Sequence, residues 1–366
     1  MLALTIFLPT LDGIPQSAYL LSLFILVFRC NQIELFQWRR GRISFAIILL
    51  IIVLGCINNF TGADRIGDAW DVIPFYLLHS LTFLIALCLN KRDLELIILL
   101  VAAEAVFVMI EFAMGVNTVF MSHPEFRRIS DLQYLYFLRP MGLSSSTSTM
   151  AFKLICALIL IDYIGRKSAG WRAVRIFLIV AVIVNFNRTS MVALAAYYAA
   201  KFVLDKNAPL KFTYKLLAIF AFVAVFLALG GLDIVLDQFF RGRGGVDLSY
   251  RDILWKQNFE FISKNLLFGN HSFKYLTLLD EYGFYEHAHN SFIEMLSTHG
   301  LFIFSLYVLL IAVNVKRRNA LLVMPFVVLS LFQYGIFWGI SFLDIIFFKL
   351  LIFGEDEKDY DCPEEL

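Results

Sequence analysis

Apolar runs of roughly 18–22 residues recur along most of the chain, each long enough to cross a hydrocarbon core of about 30 Å. Of the 366 residues, 60% are hydrophobic and 38 are Phe, where soluble domains run nearer about 45–50% apolar. The short alternating segments of a membrane barrel are absent. The expected fold is all-α: a polytopic helical membrane protein. Spans are placed near 2–28, 43–60, 72–89, 94–115, 143–164, 173–187, 189–205, 214–232, 290–313, 320–338 and 340–353. Pro9, Asp12-Gly13 and Pro15 interrupt the first, which is either one kinked helix or two short pieces. The total is therefore about 10–12 helices.

The net charge of +1 carries less information than the placement of charge. One set of connections holds 17 Lys and Arg, among them Arg29, Arg40, Lys91, Arg166, Lys201 and Arg317. The opposite set is about twice as long and holds only 11. The first set is expected to be cytoplasmic. The polar stretch Asp233–His289 then lies outside, with a second loop near 116–142; in a bacterium that is the periplasmic face. Residues 1–366 read as one integral membrane domain, with 233–289 as its large loop and 354–366 as an acidic cytoplasmic tail. Cys30, Cys56, Cys88, Cys156 and Cys362 are scattered and suggest no disulfide or zinc framework. The N-terminus lacks the basic region and small-residue cleavage site of a removable signal peptide.

The large loop ends in Glu286-His287-Ala288-His289-Asn290, where the next span starts. An imidazole at that boundary can take a proton from a sugar hydroxyl near neutral pH; the alternative is a histidine that only caps a helix. His287 is the weaker candidate. Zinc on His271, His287 and His289 lacks support from an HExxH pattern or a cysteine pair. Arg188, in Asn185-Phe186-Asn187-Arg188-Thr189-Ser190, falls between two apolar runs with almost no turn between them. A cation at a membrane edge marks a function or a partner, or it snorkels. A guanidinium fork suits a diphosphate.

Arg241-Gly242-Arg243 is expected to be a flexible, basic attractor for anions. Arg251 opens an amphipathic stretch, Tyr250–Phe268, expected to lie along the membrane surface with its aromatics in the headgroups. Arg139-Pro140-Met141-Gly142 and the hydroxyl run Ser144–Thr149 open another span from outside. Those hydroxyls either cap that helix or face an anion or sugar there. Glu104, Glu111, His79 and Lys153 lie within spans, as a transporter's proton path would require; they also suit plain interhelical hydrogen bonds.

At these residues the chain resembles the bacterial O-antigen ligase and O-antigen polymerase superfamily. Three features carry the resemblance: Asn187-Arg188-Thr189-Ser190, Tyr250-Arg251-Asp252-Ile253-Leu254-Trp255, and His289-Asn290 followed by nine residues and Gly300. The last pattern usually continues with Gly, Thr or Tyr three positions on, where this chain has Ile303. The resemblance implies a metal-independent, membrane-embedded glycosyltransferase of the GT-C type, with no cofactor and no nucleic-acid partner. It would work in the bacterial inner membrane with its site facing the periplasm. The implied donor is a glycan on undecaprenyl diphosphate, and the acceptor is a glycan or lipid A-core. Membrane lipids and other polysaccharide-assembly membrane proteins are further partners. His289 would be the base and Arg188 and Arg251 the diphosphate ligands, with Arg139, Arg241, Arg243, Asn290 and His287 binding substrate. The leading function is an O-antigen polymerase and the alternative an O-antigen ligase. A transporter is a third reading, and a non-catalytic scaffold a fourth.

Overall fold

The computed structural model describes residues 1–29, 39–62, 73–129, 137–204, 250–279, 284–317, 319–333, 335–337 and 339–353, and scattered positions between 213 and 224. Most of the expected span 214–232, Arg241, Arg243 and the acidic tail lie outside the described residues.

The helices are α1 (Leu2–Phe7), α2 (Leu21–Arg29), α3 (Arg39–Gly62), α4 (Ile73–Cys88), α5 (Lys91–Met114), α6 (Thr147–Ile164), α7 (Ala169–Val184), α8 (Arg188–Leu204), α9 (Arg251–Lys264), α10 (Ser291–Asn314), α11 (Ala320–Phe332) and α12 (Phe342–Phe353). The one sheet among the described residues is a hairpin pairing β1 (Thr277–Leu279) with β2 (Phe284–Glu286), in the register Thr277 to Glu286. The protein is an all-α polytopic membrane protein. Among the described residues, four helices are long and apolar enough to cross a bilayer: Gly41–Gly62, Lys91–Met114, Thr147–Ile164 and Ser291–Asn314.

The termini of the long helices carry their own signals. Asn90 and Asp93 form a reciprocal capping box at the start of α5, and Gly115 ends it in the left-handed region. Ser146 caps α6 through the Thr149 amide, and Gly165 closes it. The interrupted first span resolves into two pieces. Pro9 and Pro15 sit in or beside single-turn 3-10 segments, and α1 folds inward to bury Leu2, Ala3, Ile6 and Phe7 against α5.

Helix α6 is the axle of the core. From Leu154 to Ile161 every side chain is buried, and α5, α7, α8, α11 and α12 all pack on it. Its buried cation, Lys153, ion-pairs with Glu104 of α5 and donates to Thr10 Oγ1 at 3.0 Å. Glu104 also accepts from Ser144 at 2.8 Å. Glu111 accepts from the Val119 and Gly142 amides at 2.9 and 2.7 Å. His79 bonds Tyr307 at 2.9 Å. These intramembrane polar groups tie helices and loops together.

The two ends of the bundle differ in charge. At one end Arg29 pairs with Asp93, Arg166 with Glu95, and both Arg175 and Lys201 with Asp162. That end carries the short basic connections. The other end carries the loops 115–146 and 250–290 and a recess between them.

Candidate functional site

Four chain segments meet at the recess. Helix α8 starts directly after a three-residue turn. Within it, Phe186 has φ 51°, the Asn187 side chain accepts from the Ser190 amide at 3.1 Å, and Arg188 is set at the first helical position. Asn185 is buried and donates to Pro140 O at 2.7 Å, which binds this turn to the segment carrying Arg139. Arg139 is itself left-handed, φ 51°, and its carbonyl accepts from Thr147 Oγ1 at 3.1 Å.

Helix α9 enters from the side. Tyr250, φ 62°, turns the chain so that Arg251 occupies its first position. The helix packs on α10 with Leu254, Asn258 and Ile262 buried, Ile262 clustering with Ile293, while Ile253 and Phe259 remain exposed. Trp255 donates its indole N–H to Ala288 O at 2.8 Å, and Asn258 reaches Thr277 Oγ1 at 3.0 Å. These bonds tie the helix to the histidine loop and to β1.

His289 is the fourth contributor and has φ 49°. It is locked on both sides. The Ala288 amide donates to Glu294 at 2.9 Å, and Asn290 caps α10 by accepting from the Phe292 and Ile293 amides at 2.9 and 3.1 Å. Two of the residues with positive φ, Arg139 and His289, line the recess, and two more, Phe186 and Tyr250, stand one or two places before a lining arginine. Non-glycine residues seldom adopt this region, and such strain concentrates where a side chain must be aimed.

The result is a cavity of about 450 Å³ whose wall includes Arg139, Arg188, Arg251 and His289. Val192, Trp255 and Phe332 supply an apolar side. The His289 imidazole is 26% exposed, and its Nδ1 has no hydrogen-bond partner among the described residues. Burial lowers its pKa to about 4, helped by the neighbouring His287 and Arg251 charges and opposed by Glu286. It is thus neutral at pH 7. Glu286 is held down at about 2, chiefly by its hydrogen bond with His287; its carboxylate lies 3.8 Å from His289 Nε2. Glu286, His287 and His289 offer donor atoms all within 4.8 Å of one another, a set that could hold a metal ion. His271 is not one of that cluster; it stacks on Phe268 and sits 3.4 Å from Thr61 Oγ1.

Of the residues singled out in the sequence, Arg139, Arg188, Arg251 and His289 share this cavity. His287 opens instead onto a neighbouring one. Asn290 is buried, lines neither cavity, and spends its side chain on the cap and on Leu331 O at 2.9 Å. Arg241 and Arg243 lie outside the described residues. Gln333 and Glu125 were not anticipated, and Glu286, quoted in the histidine motif, was given no role there. Gln333 follows α11 and hydrogen-bonds His289, and Glu125 rides on the 115–129 loop. A single polar residue at a span end or in a loop carries no pattern that would single it out.

The histidine motif's glycine has a structural reason. Helix α10 breaks at Gly300, φ 76° and ψ 178°. The 266–272 turn inserts there: Asn270 and Ser272 amides donate to Ser297 O and Thr298 O, both at 2.8 Å, and the Leu301 amide donates to Leu266 O at 2.8 Å. A Cβ at Gly300 would fall 2.2 Å from Leu267 O, and one at Gly269 would fall 2.5 Å from the Gly300 amide nitrogen.

Comparison with curated proteins gives no match. A family model described as O-antigen ligase matches residues 173–308. That stretch contains Arg188, Arg251 and His289, and over it the chain is similar to the O-antigen ligase/O-antigen polymerase superfamily.

Proposed function

We propose that the protein is a glycosyltransferase of the periplasmic face that joins undecaprenyl-diphosphate-linked oligosaccharide repeats, an O-antigen polymerase. The observation that carries the reading is the convergence of three guanidiniums and a neutral imidazole on one cavity with an apolar flank. A sugar diphosphate already has a good leaving group, so the protein must stabilise charge developing on it and place a hydroxyl opposite. Arg188 and Arg251 hold the diphosphate, with Arg139 adding charge at the rim. His289 takes the proton of the acceptor hydroxyl as its oxygen bonds to the anomeric carbon. The bond from that carbon to the diphosphate breaks, undecaprenyl diphosphate leaves, and the configuration inverts. The proton on His289 is then lost to solvent.

A second reading, the ligase that moves finished polymer to lipid A-core, is favoured by the description of the family model that matches. Lipid and glycan analysis of a deletion strain separates the two. Lipid capped with a single repeat means a lost polymerase; uncapped core with accumulated polymer means a lost ligase. In the same strain His289→Ala, at normal protein level, should lower product by about 10²–10⁴, the usual worth of general-base catalysis. Near-normal product would remove the base from the scheme.

A further inference from the structure

The recess has a second chamber. A cavity of about 490 Å³ adjoins the first, and the two share Glu125, Ser146, Ser148, His289 and Gln333 in their walls. Both volumes fall in the usual range of small-ligand sites, about 300–1,000 Å³. His289 thus stands at the junction of two compartments, which suits a base serving a nucleophile that attacks a carbon on the face opposite the leaving group.

The compartments differ in chemistry. Arg139, Arg188 and Arg251 all face the first, and among the described residues no arginine lines the second. The second has instead the Glu286 carboxylate with His287 beside it and the hydroxyls of Ser145, Thr149 and Ser341. Its one lysine, Lys153, is already ion-paired with Glu104. A diphosphate is repelled by such a wall. A ring of neutral hydroxyls is suited to it, because carboxylates accept from sugar O–H groups and hydroxyls both accept from and donate to them.

Glu125 is the lip between the chambers. Its side chain is exposed, yet its backbone is pinned: Asn117 donates to Glu125 O at 2.7 Å and accepts from the Arg127 amide at 2.6 Å. A carboxylate that shares both cavity walls with the base is placed to accept hydrogen bonds from the sugar that brings the nucleophile.

We propose that the second cavity binds the acceptor as an uncharged, hydroxyl-bearing sugar, and that Glu125 positions its nucleophilic hydroxyl toward His289. This rests on the glycosyl-transfer reading above. The sugar belongs either to another lipid-linked repeat or to lipid A-core, and the product missing from the cell tells which.

The test combines Glu125→Gln and Ser145→Phe, the second filling the chamber from an exposed position, with Arg251→Ala for comparison. Two quantities are read: glycan product in the complemented deletion strain, and binding of undecaprenyl diphosphate to the purified full-length protein. Glu125→Gln, by losing hydrogen bonds to a charged group, and Ser145→Phe, by filling the chamber, should each lower product by about tenfold or more and bind undecaprenyl diphosphate like wild type. That retained binding also shows that they fold. Arg251→Ala should lose both. If either chamber variant loses undecaprenyl diphosphate binding as Arg251→Ala does, the second cavity belongs to the donor and the assignment falls. Wild-type product from both variants overturns it too. Undiminished binding by Arg251→Ala has a different signature: the donor reading itself fails, and the acceptor assignment goes with it.

Discussion

The His289 side chain shows how position converts an ordinary group into a candidate base. In water an imidazole near pKa 6.5 is partly protonated at neutral pH. Here burial, reinforced by His287 and Arg251, lowers it to about 4. A base acts when neutral, so activity is lost only as pH falls through the folded pKa. The acid limb of kcat/KM, measured on purified protein with a lipid-linked donor, should therefore lie near pH 4 and not near 6.5. A limb at the unperturbed value would mean that His289 is not the titrating base. Arg251 makes a separate prediction. If its planar fork binds two phosphate oxygens, Arg251→Lys keeps the charge but loses one contact, and transfer should fall by about tenfold or more. Unchanged transfer would reduce Arg251 to a general attractor of anions.

At the scale of elements, the site depends on helix ends and on one deliberate break. Arg188 and Arg251 each occupy the first position of a helix, where the amide dipoles add to their pull on an anion. Helix α10 is held at its start by Asn290 and interrupted at Gly300, and the 266–272 turn fills the interruption. Gly300→Ala must place a methyl 2.2 Å from a carbonyl oxygen, at a φ that L residues resist. The strain should cost about 1–3 kcal/mol before the clash is counted, read as a lower Tm in detergent and less protein in membranes. Because α9 docks on α10 and reaches the histidine loop through Trp255, the same variant should also weaken undecaprenyl diphosphate binding.

Across the whole molecule, the buried Lys153–Glu104 pair joins the central helix α6 to α5 and, through Thr10, to the turn after α1. Both side chains are 1% exposed. Removing one partner strands a charge in a low-dielectric interior, so Lys153→Met or Glu104→Gln alone should destabilise by about 3–5 kcal/mol. The double variant should recover most of that loss, because no charge is left unpaired. Thermal unfolding of the three variants measures the coupling. A double variant that loses the sum of the two single losses would show that the pair contributes nothing as a pair.

The sequence by itself determined the class of fold and most of the helix positions. A run of apolar residues near 20 long has one economical conformation in a bilayer, and Asn, Ser and Gly at its ends mark where it stops. It also gave Arg188, Arg251 and His289, because a charge or an imidazole at a span boundary stands out against apolar neighbours. Only the tertiary structure decided which polar residues face one another. Asn290 sits beside His289 in the motif yet turns into the helix cap, while Glu125 and Gln333, far away in the chain, reach the cavity wall. Strain at Arg139 and His289, the break at Gly300 and the sorting of charge between two chambers have no local signature, because each arises where segments distant in sequence press against one another.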